Sequence, residues 1–102
     1  MPQEAFEKDL TLTSKLKHLP DRSGVYLFRN SGGDVLYVGK AKSLRSRVRS
    51  YFQTSASHNI RIQVMVSLVR DVSLIITDTE AEALILEEQL IKTHLPLSLI
   101  HI

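Results

Sequence analysis

Cysteine and tryptophan are absent from the 102 residues, and proline and glycine are scarce, at three and four residues. Without cysteine the chain cannot form disulfides or thiolate metal sites. Its four histidines lack metal-site spacing, so any metal would need oxygen ligands. No apolar run approaches the roughly 18 residues that cross a membrane, and no signal-peptide pattern opens the chain. We therefore expect a cytoplasmic protein, and its 43% apolar and 24% charged residues predict one small globular domain.

Acidic residues are missing from one long stretch, which gives the small net charge of +2 a strong internal asymmetry. Residues 15–70 carry eleven Lys and Arg against two Asp, a net charge of +9, whereas residues 71–102 carry a net charge of −5. Between positions 39 and 61 there are six cations and no acid. Such a basic stretch is typical of phosphate contact, although a solvated surface without a ligand has the same composition.

Hydrophobic periodicity and turn signals predict seven elements after a polar segment, residues 1–13, that we expect to be flexible. They are a short helix over 14–19, strands at 25–29 and 35–38, helices at 41–52 and 58–70, a strand at 72–77 and a helix at 81–92. This order predicts an α/β (α+β) fold. The expected domain covers residues 14–96, with a central, mostly antiparallel three-stranded sheet flanked by helices, and residues 97–102 are expected to be a fragment boundary.

Two tyrosines lie on the predicted hairpin between the first two strands. A two-residue turn at Ser31 and Gly32 would place Tyr26 opposite Tyr37, with both phenols on one face of the sheet. A packed aromatic pair without any chemistry has the same pattern.

The second strand is followed by Gly39 and Lys40, a combination that invites comparison with a P-loop. Asp34 occupies the position where that motif needs its first glycine, so the P-loop is excluded. Gly39 would still allow a close backbone approach, and Lys40 would lie at the start of the basic helix, where anions are favoured.

The helix predicted over 41–52 is amphipathic and carries its arginines on different sides. At about 100° per residue, Arg47 falls beside Tyr51 at the edge of the apolar stripe, where a guanidinium needs a defined partner. Arg45 and Arg49 lie further around the helix and, with Lys42, are predicted to contact phosphates or solvent. A structural Arg47, packed along its methylenes, is the alternative.

The helix predicted over 81–92 places two polar side chains, Glu82 and Gln89, in the middle of an apolar face. A carboxylate there is costly unless it is paired, hydrogen-bonded or bound to a cation. Glu82 could instead close a capping box with Thr79, but Thr77 and Glu80 fit that role equally well. We therefore expect Glu82 to be free for another role.

Together these motifs resemble the GIY-YIG endonuclease family, in the branch found in bacterial nucleotide excision repair nucleases, the UvrC branch. Gly24-Val-Tyr26 stands for the first triplet of the family name and Tyr37-Val-Gly39 for the second. The basic helix and the stretch 80–92 extend the resemblance over roughly residues 16–96. It implies a GIY-YIG fold and an endonuclease that makes the 3′ incision beside a DNA lesion.

The resemblance also implies a role for each matching residue. The residues with implied catalytic roles are Tyr26, Tyr37, Lys40, Arg47 and Tyr51. Glu82 is the implied ligand of a single divalent cation, Mg²⁺ or Mn²⁺, and Gly39 and Gln89 are implied to support the site. The implied DNA contacts are Lys42, Arg45 and Arg49. The implied partners are damaged double-stranded DNA and, through the full-length protein, UvrB. The domain alone is expected to be a monomer. The chain departs from the family pattern where Gln89 replaces Asn, Ser23 replaces a proline, and residues 97–99 replace Lys-Tyr-Asn after the shared proline.

The implied mechanism is metal-dependent hydrolysis of a phosphodiester, with Arg47 stabilising charge on the scissile phosphate. A tyrosine would activate the attacking water, with Tyr37 preferred to Tyr26 and Lys40 as another candidate base. Because an unperturbed phenol titrates near 10, such a base needs the cation or Lys40 to lower its pKa.

Two other functions remain open from the residues alone. The first is a non-catalytic nucleic-acid-binding module that uses the basic helix 41–52 and binds DNA in a strongly salt-dependent way. The second is a protein-interaction domain that docks through Glu87 and Glu88, which we expect on the solvated surface.

Overall fold

The structure is a computed structural model, and it describes residues 12–53 and 58–95. Within them the order is α1 (12–17), β1 (Gly24–Arg29), β2 (Val35–Ala41), α2 (Leu44–Tyr51), α3 (Ile60–Leu68), β3 (Asp71–Ile76) and α4 (Glu80–His94). The predicted fold class and element order are thus confirmed. The predicted segment 1–13 lies outside the described residues except for 12–13, which begin α1, and the predicted end segment 97–102 lies outside them entirely. None of the described helices is long and apolar enough to span a membrane.

The three strands form one antiparallel sheet in the order β2-β1-β3. Side chains alternate along the central strand β1, so its two faces build two separate cores. Tyr26 and Phe28 belong to the core covered by α1, α2 and α3. Val25 and Leu27 belong to the core covered by α4. The sheet therefore separates the basic helix α2 from the acidic helix α4.

The hairpin register differs from the predicted pairing of Tyr26 with Tyr37, which is wrong. Tyr26 pairs with Gly39, and Phe28 pairs with Tyr37. Gly33, with a φ of +85°, adds one residue to the turn, and a bulge at the start of β2 adds a second. Because each inserted residue exchanges the two faces of a strand, two insertions restore the original parity, and both tyrosines remain on one face as predicted.

Strand β2 is longer than predicted, and helix α2 is correspondingly shorter. Pairing with β1 continues to Ala41, which lies opposite Gly24. Helix α2 then begins after its N-cap Ser43, whose hydroxyl oxygen accepts from the Ser46 backbone N–H at 3.3 Å. The expected position of Lys40 at the start of the helix is therefore wrong: it lies in the sheet, because the ladder of backbone hydrogen bonds extends past it.

Candidate functional site

Three tyrosines meet on the side of the sheet that α2 covers. Tyr26 is buried on β1, with 2% of its surface exposed, and its hydroxyl lies 2.9 Å from that of Tyr51 on α2. Tyr37 on β2 is half-buried, and its ring centroid lies 6.2 Å from that of Tyr26 and 6.1 Å from that of Tyr51. The structure thus brings together all three tyrosines that the sequence singled out.

Gly39 lies directly against the Tyr26 phenol. A Cβ atom at this position would overlap the hydroxyl and ring carbons of Tyr26, so no larger residue fits without moving the phenol. The close approach that we expected of this glycine is confirmed, and the group that approaches it is a side chain of the cluster itself.

The surroundings of the tyrosines raise their pKa values by different amounts. Burial raises the pKa of Tyr26 far above its ordinary value, and the hydrogen bond to Tyr51 raises it further. Burial, followed by the charge of Tyr51 and a hydrogen bond with it, raises the pKa of Tyr37 to about 12, and the negative charge of Glu87 acts in the same direction to a smaller extent. The positive charge of Arg47 opposes both shifts. Tyr37 is therefore the easier of the two phenols to deprotonate.

Arg47 lies on α2 with its side chain exposed. Its charge acts on both Tyr26 and Tyr37, which places the guanidinium beside the tyrosine cluster, as predicted. In residues 12–53 and 58–95 no carboxylate or carbonyl group pairs with this guanidinium. Its five N–H donors are therefore available to an anion.

Glu87 is the functional candidate that we missed in the sequence. It is half-buried on α4, and its charge acts on Tyr37. The stripe of α4 that packs on the sheet contains Ala83, Leu86, Leu90 and Ile91. Positions 83, 86, 87, 90 and 91 follow the i, i+3, i+4, i+7, i+8 pattern of a buried helix face. A carboxylate at the i+4 position of that face, four residues after Ala83, was the sequence signal for Glu87.

Glu82 and Gln89 are both exposed, so their predicted place in the middle of the apolar face is wrong. The buried stripe centres near Ala83 rather than Glu82, and Ile85, on the Glu82 side of the helix, is 59% exposed. Thr79 caps α4: its hydroxyl accepts from the Glu82 backbone N–H at 3.1 Å and lies 3.3 Å from the Glu82 carboxylate.

Lys40 is not brought to the tyrosine cluster. Alternation along β2 places it with Val38, on the side of the sheet that α4 covers, whereas Tyr37 and Gly39 face α2. Its side chain is exposed. A part for Lys40 in the chemistry stays a prediction.

The other cations of the basic helix differ in their surroundings. The Arg45 Nε donates to the Leu19 carbonyl at 2.9 Å, and Arg49 donates to the carbonyls of Leu16 at 3.3 Å and Lys17 at 3.1 Å. These bonds fasten the C-terminal end of α1 to α2. Lys42 is exposed and has no such partner in the described ranges. Contact of all three with DNA stays a prediction, but two of them already have a structural role.

The fold and this cluster define a class of protein: a small α/β domain in which the two GIY-YIG triplets and a tyrosine of the basic helix meet on one face of a three-stranded sheet. A family model described as a UvrC-like GIY-YIG domain matches residues 22–98. The chain belongs to this family.

Two relatives show how far the similarity extends. The UvrABC system protein C of Gloeobacter violaceus is 60% identical over 85 residues, which are 83% of this chain and 14% of that protein. The UvrABC system protein C of Carboxydothermus hydrogenoformans is 53% identical over 87 residues, 85% of this chain and 14% of that protein. The chain thus spans about 14% of the length of the curated relatives it matches.

One group of solved structures has the same fold. The GIY-YIG N-terminal endonuclease domain of UvrC from Thermotoga maritima, bound to its catalytic divalent cation, magnesium, is 34% identical with a TM-score of 0.71. The match covers 82% of this chain and 90% of that one. The expected family and fold are confirmed.

Proposed function

We propose that this domain is a divalent-metal-dependent endodeoxyribonuclease that makes the 3′ incision beside a lesion in nucleotide excision repair. The observation that carries the proposal is the cluster of three tyrosines, in which the Tyr26 and Tyr51 hydroxyls lie 2.9 Å apart, together with Arg47 one turn before Tyr51 on α2, whose guanidinium has no partner among the described residues. A module that only binds DNA through its basic helix does not need this cluster. The similar Thermotoga maritima domain, which binds a catalytic divalent cation, supports the same conclusion.

The residues present fit one divalent cation held by a single carboxylate. The described ranges contain no group of three or more His, Asp or Glu side chains that could form a closed metal cage. Mg²⁺ fits an open site, because it keeps several waters and needs only one or two carboxylates, and Mn²⁺ accepts the same oxygen ligands. Glu87 is half-buried and its charge acts on Tyr37, whereas Glu82 is exposed and its carboxylate lies 3.3 Å from the Thr79 hydroxyl. We therefore propose Glu87 as the ligand, with Glu82, the ligand that the family resemblance implies, as the alternative. A bound cation supplies Lewis-acid stabilisation of the phosphate.

The side chains of the cluster have separate parts in this proposal. Arg47 binds the scissile phosphate and stabilises the charge that develops on it. Tyr37 is the candidate base, because it is less buried than Tyr26 and its pKa is less raised. Since that pKa is about 12, Tyr37 would accept a proton from water only where the bound cation lowers it. Tyr51 fixes the Tyr26 hydroxyl by a hydrogen bond, and Gly39 leaves room for that phenol.

The partners in the proposal are damaged duplex DNA and, for the full-length protein, UvrB, all in the bacterial cytoplasm. Their support is the name of the relatives, UvrABC system protein C, which belong to a system of several proteins. The domain itself acts as a monomer in this proposal.

The test is nicking of supercoiled plasmid DNA by the 102-residue chain with and without Mg²⁺. The same assay uses a lesion duplex and a chimaera in which this domain replaces its counterpart in a full-length relative. We expect incision that depends on Mg²⁺. We also expect Arg47→Ala to lower the incision rate about 10²-fold or more, because it removes charge stabilisation from the transition state. The control is Arg70→Ala, since Arg70 is an exposed arginine that caps carbonyl groups near the end of α3.

Two results contradict the proposal. Incision by neither protein would exclude a nuclease, and salt-dependent binding without cleavage would identify the non-catalytic nucleic-acid-binding module instead. Equal incision by Arg47→Ala and wild type would exclude this cluster as the site.

A further inference from the structure

A groove beside the tyrosine cluster has no part in the chemistry proposed above. It has a volume of about 560 Å³ and runs along α2 from the end of β2. The residues that line it include Asp21, Ala41, Lys42, Ser46, Arg47 and Ser50. Arg47, to which we assign the scissile phosphate and which lies one turn before Tyr51 on α2, also lines the groove, so the groove and the proposed site share this residue.

The charge in this groove favours an anion. Neither Lys42 nor Arg47 forms an ion pair or a side-chain hydrogen bond within the described part of the chain. Two unpaired cations that line one groove create a positive potential. The hydroxyls of Ser43 and Ser50 already donate to Asp21 and to the Arg47 carbonyl, at 2.7 and 2.6 Å.

Side chains, and not the start of the helix, would have to bind that anion. The first backbone N–H groups of α2 are already used: Leu44 donates to the Arg22 carbonyl at 2.9 Å and Arg45 to the Pro20 carbonyl at 3.1 Å. The Ser46 hydroxyl has no protein acceptor within residues 12–53 and 58–95, so it can donate to a ligand in the groove.

On the opposite side of α2, some of the arginine donors are already used within the protein. The Nε of Arg45 donates to the carbonyl of residue 19, and the Nε of Arg49 donates to the carbonyl of residue 16. These bonds fasten the end of α1 to α2. The cations on the two sides of this helix thus have different roles: those on one side hold α1, and those on the other are available to an anion. The sequence alone does not distinguish them.

We propose that the groove holds a second DNA phosphate, next to the scissile one, bound by Lys42 and Ser46. This inference rests on the proposed function, because it takes a DNA strand as the substrate. The strand runs from the tyrosine cluster along the Ser46 side of α2. Asp21, which also lines the groove, repels that strand and limits its affinity.

The test is the affinity of the 102-residue chain for dye-labelled duplex DNA, measured by fluorescence anisotropy over a range of salt concentrations. Divalent metal is left out, so binding is read without incision. Lys42→Ala is compared with Arg49→Ala, and Asp21→Asn is compared with Glu88→Gln. Each pair changes the net charge by the same amount, and Glu88 is exposed on the helix that covers the other face of the sheet.

We expect Lys42→Ala to lower the slope of log K against log salt by about 0.9, which corresponds to one lost phosphate contact. Arg49→Ala keeps the wild-type slope and lowers the melting temperature instead. Asp21→Asn tightens binding roughly two- to fivefold because it removes a repelling charge, and Glu88→Gln has less than half that effect. The asparagine still accepts from Ser43, so the gain in affinity does not come from a change in folding.

Three results overturn the inference: equal slopes for Lys42→Ala and Arg49→Ala, no tighter binding by Asp21→Asn than by Glu88→Gln, or no binding at the lowest salt. The inference and the proposed function fail separately. Expected slopes without any incision leave the groove in place and exclude the nuclease. Incision that needs Arg47, with slopes that do not distinguish Lys42 from Arg49, excludes the groove alone.

Discussion

At the scale of single residues, the site depends on the close approach of the Tyr26 phenol to the Gly39 backbone. The phenol is buried, hydrogen-bonded to Tyr51 and surrounded by other rings, so it has little freedom to move aside. The glycine of the second triplet is therefore needed for packing, and its contribution to the chemistry is indirect.

Gly39→Ala tests that dependence. We expect a loss of about 1–3 kcal/mol in the free energy of unfolding, because the added methyl group overlaps a buried side chain. The control is Gly32→Ala, where a Cβ would meet the Asn30 side chain at an ordinary 3.4 Å. Urea unfolding of both variants is the measurement. Equal midpoints for the two would show that Tyr26 moves aside freely.

The raised pKa values of the tyrosines predict a loss of stability at high pH. The pKa of Tyr37 is about 12 in the folded protein, whereas its ordinary value, which applies to the unfolded chain, is 10.0. Between these two pH values the folded state therefore binds more protons than the unfolded state. The contribution of Tyr37 to stability is therefore complete below pH 10 and is lost as the pH rises through 12. Tyr37→Phe should make this loss shallower in urea unfolding at a series of alkaline pH values. The same loss in wild type and variant would mean that Tyr37 titrates normally.

The identity of the tyrosines and of Arg47 could be predicted from the sequence, but the inward carboxylate could not be chosen correctly. Glu82 and Glu87 lie five positions apart on the helix. Which of them is the more buried depends on where the buried stripe is centred. Ala83, a small residue with 1% of its surface exposed, marks that centre, and its weak hydrophobicity hid it among larger apolar neighbours.

At the scale of elements, the caps decide where the helices begin. Thr79 is the N-cap of α4, and Thr77, the alternative in the sequence, is 8% exposed and donates to the Thr79 carbonyl at 2.8 Å. Both threonines thus order the same turn, but only Thr79 accepts from the backbone of α4.

Thr79→Ala should lower the free energy of unfolding by about 1 kcal/mol, since an N–H at the start of α4 loses its acceptor. Thr93→Ala is the matched control on the same helix. The Thr93 hydroxyl only donates to the Gln89 carbonyl, near the exposed C-terminal end of α4. Thermal unfolding followed by circular dichroism measures both. A larger effect at Thr93 would contradict the assigned cap.

The order of helices and strands follows from periodicity and turn residues, and the sequence was sufficient for it. Register was not accessible in the same way, because the added turn residue Gly33 and the bulge in β2 have no separate sequence signature. The division of α2 into two sides was also hidden. It depends on the end of α1 and the residues just after it, because carbonyl groups of Lys17 and Leu19, from a distant part of the sequence, accept from Arg49 and Arg45.

At the scale of the whole molecule, the site lies where two layers meet. Helix α2 covers one face of the sheet and α4 covers the other, yet Arg47 from the first and Glu87 from the second both act on Tyr37. Helices on opposite faces can approach the same side chain only at an edge of the sheet, and Tyr37 lies on the edge strand β2. The basic middle and acidic end of the sequence are thus brought together at one edge, which no local pattern could predict.

The measurement that tests this account most directly is Mg²⁺-dependent incision by Glu87→Gln and Glu82→Gln, made in the 102-residue chain and in the chimaera. Both changes remove one carboxylate charge from α4, and glutamine still serves in the cap at position 82. The account predicts that Glu87→Gln loses about 10²-fold or more in rate, whereas Glu82→Gln stays within about threefold of wild type. Wild-type incision by Glu87→Gln, or a large loss confined to Glu82→Gln, would contradict it.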